Sequence, residues 1–483
     1  MIYTEPSQAV KPDLQDIQGL IINGYTHPCS VHMLFKFSDE PDNLVSIRGF
    51  VKDLLPHLQS AEDWGPLKPE IMVNIGLTAG GISIVKPELD VYNSSFPPTF
   101  KKGPWDPNGA QQSLFDVDDK SAPSKWWNEK FANTDVHCVV HAYAMNPTAQ
   151  DRIVEFIDAA AQKSNKAVTE LKPINSASGR LEQYLLVPSD YVHFRYRDSI
   201  DEPELNDNPL SKDQQDLNNF LIGYSTLQNP TPGPLFGPEG KFAKNGCYNA
   251  FRILYQDVEI FNDFLEEQAE LIAPKIKQTK EYTVEWLAAK MCGRWRNGSP
   301  LVLSPDNPSH DTSKSTDFGY KADDMKGAKC PFSAHTRVSN PRDEGVKVAG
   351  STLVPRIIRR GMPYGAPMSV DPDPDADRGL IGLFLCGDIS SQFETIYGWI
   401  NKNNFSPVFN PRAKIAQDPL IANRIKDNSF DPNFTIPMED GTQIVVRGPL
   451  PQFVVTRGTA YFLLPSISSL KEIAGVINQI PAE

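Results

Sequence analysis

The chain has 483 residues, 40% of them hydrophobic, which is enough for a large buried core and long enough for more than one domain. Its net charge of -13, with no basic run or basic face, excludes the phosphate-neutralising surface of a nucleic-acid binder and a hold on an anionic membrane. The six cysteines, Cys29, Cys138, Cys247, Cys292, Cys330 and Cys386, contain no Cys-x-x-Cys pair and read as free thiols of a reducing compartment, not as a disulfide framework or zinc site.

Met1 to Gln15 has no basic region followed by an apolar run, and no apolar stretch is long enough to cross a bilayer, so the expectation is a cytoplasmic protein without a membrane partner. In chain order, alternation through Ile17 to Ile22 and again through Val31 to Phe37 predicts two strands, and the period changes to helical across Leu44 to Leu58. Strand-like runs return at Ile71 to Leu77 and Val136 to Ala142, followed by a helix with apolar positions Ile153, Phe156, Ile157 and Ala160. The segment Asn206 to Asn245 is rich in Pro, Gly, Asn and Asp and favours turns, which sets a boundary near residue 220 and divides the chain into 14–219 and 220–483.

The second half opens with a strand at Tyr248 to Tyr255 and helices at Val258 to Ile272 and Thr283 to Trp295. Strands follow at Arg356 to Met362 and Leu380 to Cys386, then a helix at Ser390 to Ile400 and a strand at Phe453 to Leu464. A capped amphipathic helix closes the pattern at Ser466 to Ile477. Consecutive strands often lack an intervening helix, so two α+β halves with antiparallel sheets fit better than a parallel sheet. The acidic run Asp371 to Asp377 lacks the spaced glycine and terminal glutamate of a calcium loop and reads as a solvated turn.

The chemistry concentrates in Lys329-Cys330-Pro331-Phe332-Ser333-Ala334-His335-Thr336-Arg337-Val338-Ser339-Asn340-Pro341-Arg342-Asp343 and in Arg356-Ile357-Ile358-Arg359-Arg360-Gly361. One histidine stands beside many arginines; histidine can bind haem iron axially, and arginines neutralise the porphyrin carboxylates. Both segments resemble the dye-decolourising peroxidase family, with its Cys-Pro-Phe-x-Ala-His-x-Arg-x-x-Asn-Pro-Arg stretch around the proximal histidine and Arg-Arg-Gly or Arg-x-Asn at the distal arginine. The resemblance runs from about Leu14 to the end. It implies two ferredoxin-like domains, similar to the dimeric α+β barrel superfamily, and a haem b (iron-protoporphyrin IX) peroxidase with His335 as its metal ligand. Hydrogen peroxide is the implied oxidant and small phenolic or dye-like molecules the implied reductants; a homo-oligomer is compatible with it. Leu301 to Ala328, an irregular connection just before His335, is then expected to fold over the cofactor.

The family's distal motif, Phe-Gly-Phe-x-Asp-Gly-Ile-x-x-Pro, is best matched by Phe194-Arg195-Tyr196-Arg197-Asp198-Ser199-Ile200-Asp201-Glu202-Pro203. The resemblance makes Asp198 the proton shuttle between the peroxide oxygens and Arg359, two residues before Gly361, the stabiliser of developing charge. Arg360 is the rival, pointing to the opposite face if the segment is a strand. An aspartate base also implies an acidic optimum. Both motif glycines are replaced, by Arg195 and Ser199, so a distal loop that sits differently and alters peroxide access is expected.

On the proximal side a carboxylate should accept a hydrogen bond from the ligand's second nitrogen, with Asp388 the first candidate and Glu394 the second. Leu383 or Phe384 is expected to line the distal face, and Arg337 and Arg342 are candidate propionate partners, each with an ordinary ion pair as its alternative. His137 and His141, four apart, have a metal-like spacing but no third ligand, which favours packing. His193 is expected near the pocket without being a ligand. Trp126, Trp127, Trp286, Trp295 and Trp399 read mostly as core anchors, and none is singled out as a radical site. The rivals are a haem-binding, storage or sensing protein of the same fold with weak peroxidase activity, and a cofactor-free interaction module.

Overall fold

The computed structural model describes residues 11–184, 191–203, 205, 217–224, 235, 237–344, 354–403, 414–425 and 427–476. Runs rich in β-branched and aromatic residues form β1 (Cys29–Phe37), β2 (Ile71–Leu77), β3 (Cys138–Ala144), β4 (Val168–Leu171), β5 (Leu181–Tyr184) and β6 (Cys247–Gln256). They are followed by β7 (Ile358–Arg359), β8 (Met362–Tyr364), β9 (Gly379–Cys386), β10 (Phe434–Pro437), β11 (Gln443–Val446) and β12 (Val454–Leu464). β10 and β11 make a separate hairpin; the other ten strands form one sheet in the order β4-β1-β3-β2-β12-β6-β9-β7, with β5 also on β1 and β8 also on β9. Every pairing is antiparallel, as the strand pattern predicts. Strands β1 to β5 lie on one side of the β2–β12 junction and β6 to β9 on the other, and the two sets join through Leu77 opposite Leu463.

Helices Leu44–Leu54 and Pro147–Lys163 bury Ile47, Phe50, Ile153 and Ile157 against one face of β1 to β3. Helices Val258–Ile276 and Lys280–Cys292 build the second layer, with Phe261, Leu265 and Leu287 buried. Their starts are set by side-chain caps: Asn146, Asp257 and Thr279 accept from Ala149, Ile260 and Tyr282 N–H. Helix Lys280–Cys292 stops at Gly293, whose φ of 96° is the left-handed conformation of a C-terminal glycine. The five tryptophans named above are all buried and anchor these layers, and the six cysteines are buried and free. Among the described residues no helix is long and apolar enough to cross a membrane.

Some elements differ from the pattern. Ile17 to Ile22 is not a strand: Gly19–Ile22 is a single helical turn. The fully buried Gln18 side chain takes over the pairing role, donating to Ile75 O at 2.9 Å and Pro465 O at 2.8 Å and accepting from Ile75 N at 2.8 Å. Arg356 to Met362 is broken into β7 and β8 on either side of Arg360 and Gly361, where the chain runs so close to β9 that a Cβ at Gly361 would meet Ile381 O at 2.5 Å. The short strands β4 and β5 and the β10–β11 hairpin carry too little period to be read in advance. The last helix is Ile467–Ile473, capped by Ser466; Ile477 lies outside the described residues, as does most of 206–236.

The inner face of the sheet holds a polar chain. His32 on β1 stands opposite His141 on β3, with Nδ1 to Nδ1 at 2.8 Å and both rings buried. Gln183 Nε2 donates to Met362 O, so β5 and β8, at opposite ends of the sheet, are tied together and Gln183 Oε1 is the acceptor for His32 Nε2 at 2.9 Å. The network therefore assigns His32 Nδ1 as acceptor of the His141 Nδ1 proton, with His141 Nε2 accepting from Asn249 Nδ2 at 3.2 Å. His137 is not part of this pair; its Nδ1 accepts from Phe37 N at 2.9 Å. No group of three or more metal-ligating side chains occurs among the described residues.

Both dyad rings are neutral because burial disfavours the cation: His32 is pushed down to about 4 and His141 well below its ordinary value. Between that value and the ordinary histidine value of about 6.5 the unfolded chain holds a proton that the folded chain refuses. The contribution is therefore complete above about pH 6.5 and declines as pH falls towards 4, on the order of 3 kcal/mol for His32. Urea unfolding from pH 7.5 to 4.5 should show this slope, and His32→Gln should flatten it; an equal slope in the variant would contradict the assignment.

Candidate functional site

A cavity of about 720 Å³ opens between β9 and the helices that follow His335 and Asp388, within the roughly 300–1,000 Å³ usual for cofactor and small-molecule sites. His335 begins the short helix His335–Ser339 and lines the cavity. That helix is held from behind by Arg337, whose Nη1 donates to Cys330 O at 2.7 Å and Asp324 Oδ2 at 3.1 Å. Its Nη2 donates to Glu344 at 2.5 Å, and its guanidinium lies over the Phe332 and Tyr320 rings at 4.4 and 4.7 Å. Arg337 is thus an interior brace at 1% exposure, and the expectation that it meets a cofactor carboxylate is corrected.

Arg342 is corrected for the same reason. Its Nη2 donates to Asp201 at 2.6 Å and its Nη1 to Thr316 O at 2.8 Å, with the guanidinium 4.0 Å from the Phe318 ring, and it does not line the cavity. Arg294 and Arg356 do line it. Arg294 Nη1 is held by Gly298 O and Ser315 O, and Arg356 Nη2 by Asp201 O. Burial lowers the pKa of both, more strongly than the nearby carboxylates raise it.

Behind the imidazole stands Asp418, not Asp388. His335 Nδ1 meets Asp418 Oδ2 at 2.7 Å, and the carboxylate is fully buried. Its Oδ1 accepts from Leu420 N at 2.7 Å and Ile421 N at 3.1 Å, so both oxygens are engaged. Arg424 Nη2 clamps the same turn through Asp418 O at 3.0 Å and Pro419 O at 2.7 Å, and burial pushes this guanidinium down to about 10. Asp388 instead caps the helical turn after it, accepting from Ser391 N at 2.7 Å and Ser391 Oγ at 2.8 Å. Glu394 accepts from Thr99 Oγ1 and Tyr461 Oη, and burial raises its pKa. The signal for Asp418 was local: Asp-Pro before two apolar residues suits a side-chain-closed turn. Nothing in spacing ties it to a histidine 83 residues earlier.

β9 alternates as a strand must. Leu380 and Phe384 face the cavity, whereas Leu383 points to the opposite face and packs with Phe251 and Phe462, so only Phe384 of the expected pair lines the site. Ile396, Ile400, Leu420 and Val454 complete an apolar wall. The segment 301–328 lines none of it; Ser304 O accepts from Trp295 Nε1 at 2.7 Å and Asp324 holds Arg337, so the connection buttresses the helices and is not a cover. His193 turns away, its Nε2 2.8 Å from Tyr364 O.

Across the cavity, Asp198 and Arg359 come together, with Oδ1 to Nη1 at 3.8 Å. Arg359 Nη2 also donates to Ile200 O at 2.7 Å, and Glu202 lies at 2.6 Å from it. Glu202 first, then Asp198, raise the Arg359 pKa and keep it a cation. Arg360 borders the cavity too, because β7 ends at Arg359, but its Nε and Nη2 are held by Leu20 O and Ile22 O. Arg195 and Ser199, the replacements for glycine, have φ of 68° and 58°, as does neighbouring Asp201 at 67°. The loop keeps conformations that glycine adopts freely and side chains adopt at a cost of about 1–2 kcal/mol each.

This donor set suits a haem: an imidazole fixed at Nδ1 by a buried carboxylate, so that Nε2 is the nitrogen left for iron, an apolar wall, and arginines for the carboxylates.

No family model matches the chain. It is 26% identical to the dye-decolorizing peroxidase msp1 of Mycetinis scorodonius over 96% of this chain and 88% of that one. It is 30% identical to a dye-decolorizing peroxidase of Mycena epipterygia over 72% of this chain and 68% of that one. Among solved structures, an ancestral D-type dye decolorizing peroxidase superposes with a TM-score of 0.76 at 25% identity, covering 96% of this chain and 100% of that one. The fungal peroxidase of Auricularia auricula-judae shares the fold, with a TM-score of 0.74 at 23% identity over 96% of this chain and 100% of that one.

If the left-handed residues are strained, Ser199→Gly should stabilise the protein by roughly 0.5–1 kcal/mol after glycine's own entropy cost. Ser199→Val should destabilise it, and urea denaturation that ranks the two the other way would refute the strain.

Proposed function

This chain belongs to the dye-decolorizing peroxidase family, and from that premise we propose that His335 would bind the iron of haem b while Asp198 and Arg359, across the cavity, act on hydrogen peroxide. Peroxidases of this family are haem-dependent, and the enzyme is a peroxidase that uses hydrogen peroxide and a reducing substrate. The observation that carries the site reading is the 2.7 Å contact of His335 Nδ1 with buried Asp418. It directs Nε2 into the cavity and makes that nitrogen a stronger donor.

Bound haem would supply the iron that takes up peroxide and would pass the oxidising equivalents of peroxide on to the donor. The chain's own part is proton and charge management. The Asp198 carboxylate takes a proton from the inner peroxide oxygen and returns it to the outer one, so that the outer oxygen leaves as water and not as hydroxide. Arg359 stabilises negative charge while the bond opens, and as a guanidinium it gives up no proton in doing so. Leu380, Phe384 and Ile396 keep bulk water from competing. Arg294 and Arg356, in place of Arg337 and Arg342, would hold the haem carboxylates.

The donors are small phenolic or dye-like molecules, the class implied by the motifs. The division into 14–219 and 220–483 is supported by the two strand sets that meet at β2–β12. Cytoplasmic residence is supported by six free, buried thiols.

Asp198→Asn should slow the reaction of haem-loaded protein with peroxide by about 10²–10⁴-fold in stopped-flow absorbance, with haem uptake unchanged. A rate equal to that of the parent protein removes Asp198 from the mechanism.

A further inference from the structure

We propose that Glu202 is a positioning residue that neutralises Arg359 and so makes the distal site reject anions, an inference that rests on the reading of Arg359 given above. Glu202 borders the cavity and occupies a variable position of the distal motif, just before Pro203. Its Oε1 lies 2.6 Å from Arg359 Nη2, and its Oε2 accepts the backbone N–H of Arg359 at 2.9 Å. The same carboxylate is 4.0 Å from Arg360 Nη1.

The competing partner is weaker. Asp198 approaches Arg359 only to 3.8 Å, outside hydrogen-bond range, so Glu202 sets the charge that the guanidinium presents. Around it, Arg342, Arg356, Arg359 and Arg360 face Asp198, Asp201 and Glu202, and within this cluster Glu202 is the carboxylate that offsets the charge of Arg359. Neutral hydrogen peroxide meets no electrostatic penalty there. An anion that seeks Arg359 must displace a carboxylate already bonded to both its side chain and its backbone.

Replacing Glu202 with glutamine separates charge from shape. The amide oxygen can still accept the Arg359 backbone N–H; the amide NH2 then replaces the oxygen facing Nη2, whose remaining anchor is Ile200 O at 2.7 Å, and the guanidinium charge is left unbalanced. Aspartate keeps the charge with a shorter reach.

Haem-loaded full-length protein titrated with sodium fluoride, followed in the visible spectrum, tests this. Glu202→Gln should bind fluoride at least tenfold more tightly than the parent protein, Glu202→Asp should stay close to the parent, and adding Arg359→Gln to Glu202→Gln should abolish the gain. Unchanged fluoride affinity in Glu202→Gln overturns the proposal. A second measurement needs no haem: melting temperatures of Glu202→Gln, Arg359→Gln and the double variant form a cycle. Non-additive shifts support the pairing and additive shifts overturn it, whereas failure to take up haem counts only against the reading of the cofactor.

Discussion

Everything on the His335 side of the cavity depends on one buried carboxylate. Asp418 is closed off from bulk solvent and is stabilised by two backbone N–H groups and the imidazole of His335. An unpaired charge at that depth would cost several kcal/mol, so the imidazole is locked in the tautomer with its proton on Nδ1. The orientation of Nε2 follows from that lock. Arg424, clamping the carbonyls of Asp418 and Pro419, holds the turn, and Arg337 holds the helix from its other side.

The Asp198 side of the cavity is joined to this frame through a second carboxylate. Asp201 accepts from Asn340 at 3.0 Å and Arg342 at 2.6 Å, both just beyond the His335 helix, and its carbonyl accepts from Arg356 at 2.9 Å. One residue therefore ties the loop of Asp198 to the histidine segment and to the approach of β7. The backbone at Ser199 and Asp201 is left-handed, and these bonds hold it there. A loop built on non-glycine residues in that conformation is over-determined by its partners, a common condition at functional sites.

The period of the strands was enough to read an antiparallel α+β fold, and the three residues that the motifs single out, His335, Asp198 and Arg359, line one cavity. What failed depended on contacts between distant segments. Arg337 and Arg342 have the composition of anion binders, but their bonds to Glu344, Asp324 and Asp201 turn them inward, and no local pattern reveals a partner in another segment. Asp388 was plausible by its place after an apolar strand, yet an aspartate followed by Ser390 and Ser391 at a helix start caps that helix. Leu383 and Phe384 are adjacent, so only one can face the cavity, and which one depends on a register that β6 and β7 set. Ile17 to Ile22 alternates like a strand, but the Gln18 side chain satisfies the sheet edge and the chain turns into a helix.

The most direct measurement is the visible absorption spectrum of haem-supplemented protein beside His335→Ala, with free imidazole added back to the variant. With His335 as the ligand, the parent protein should show a Soret band that is lost or displaced in the variant and recovered by imidazole, because only the Nε2 donor has been removed. A variant whose Soret band matches the parent's without imidazole would contradict ligation by His335 and, with it, the assignment of the cavity's two faces.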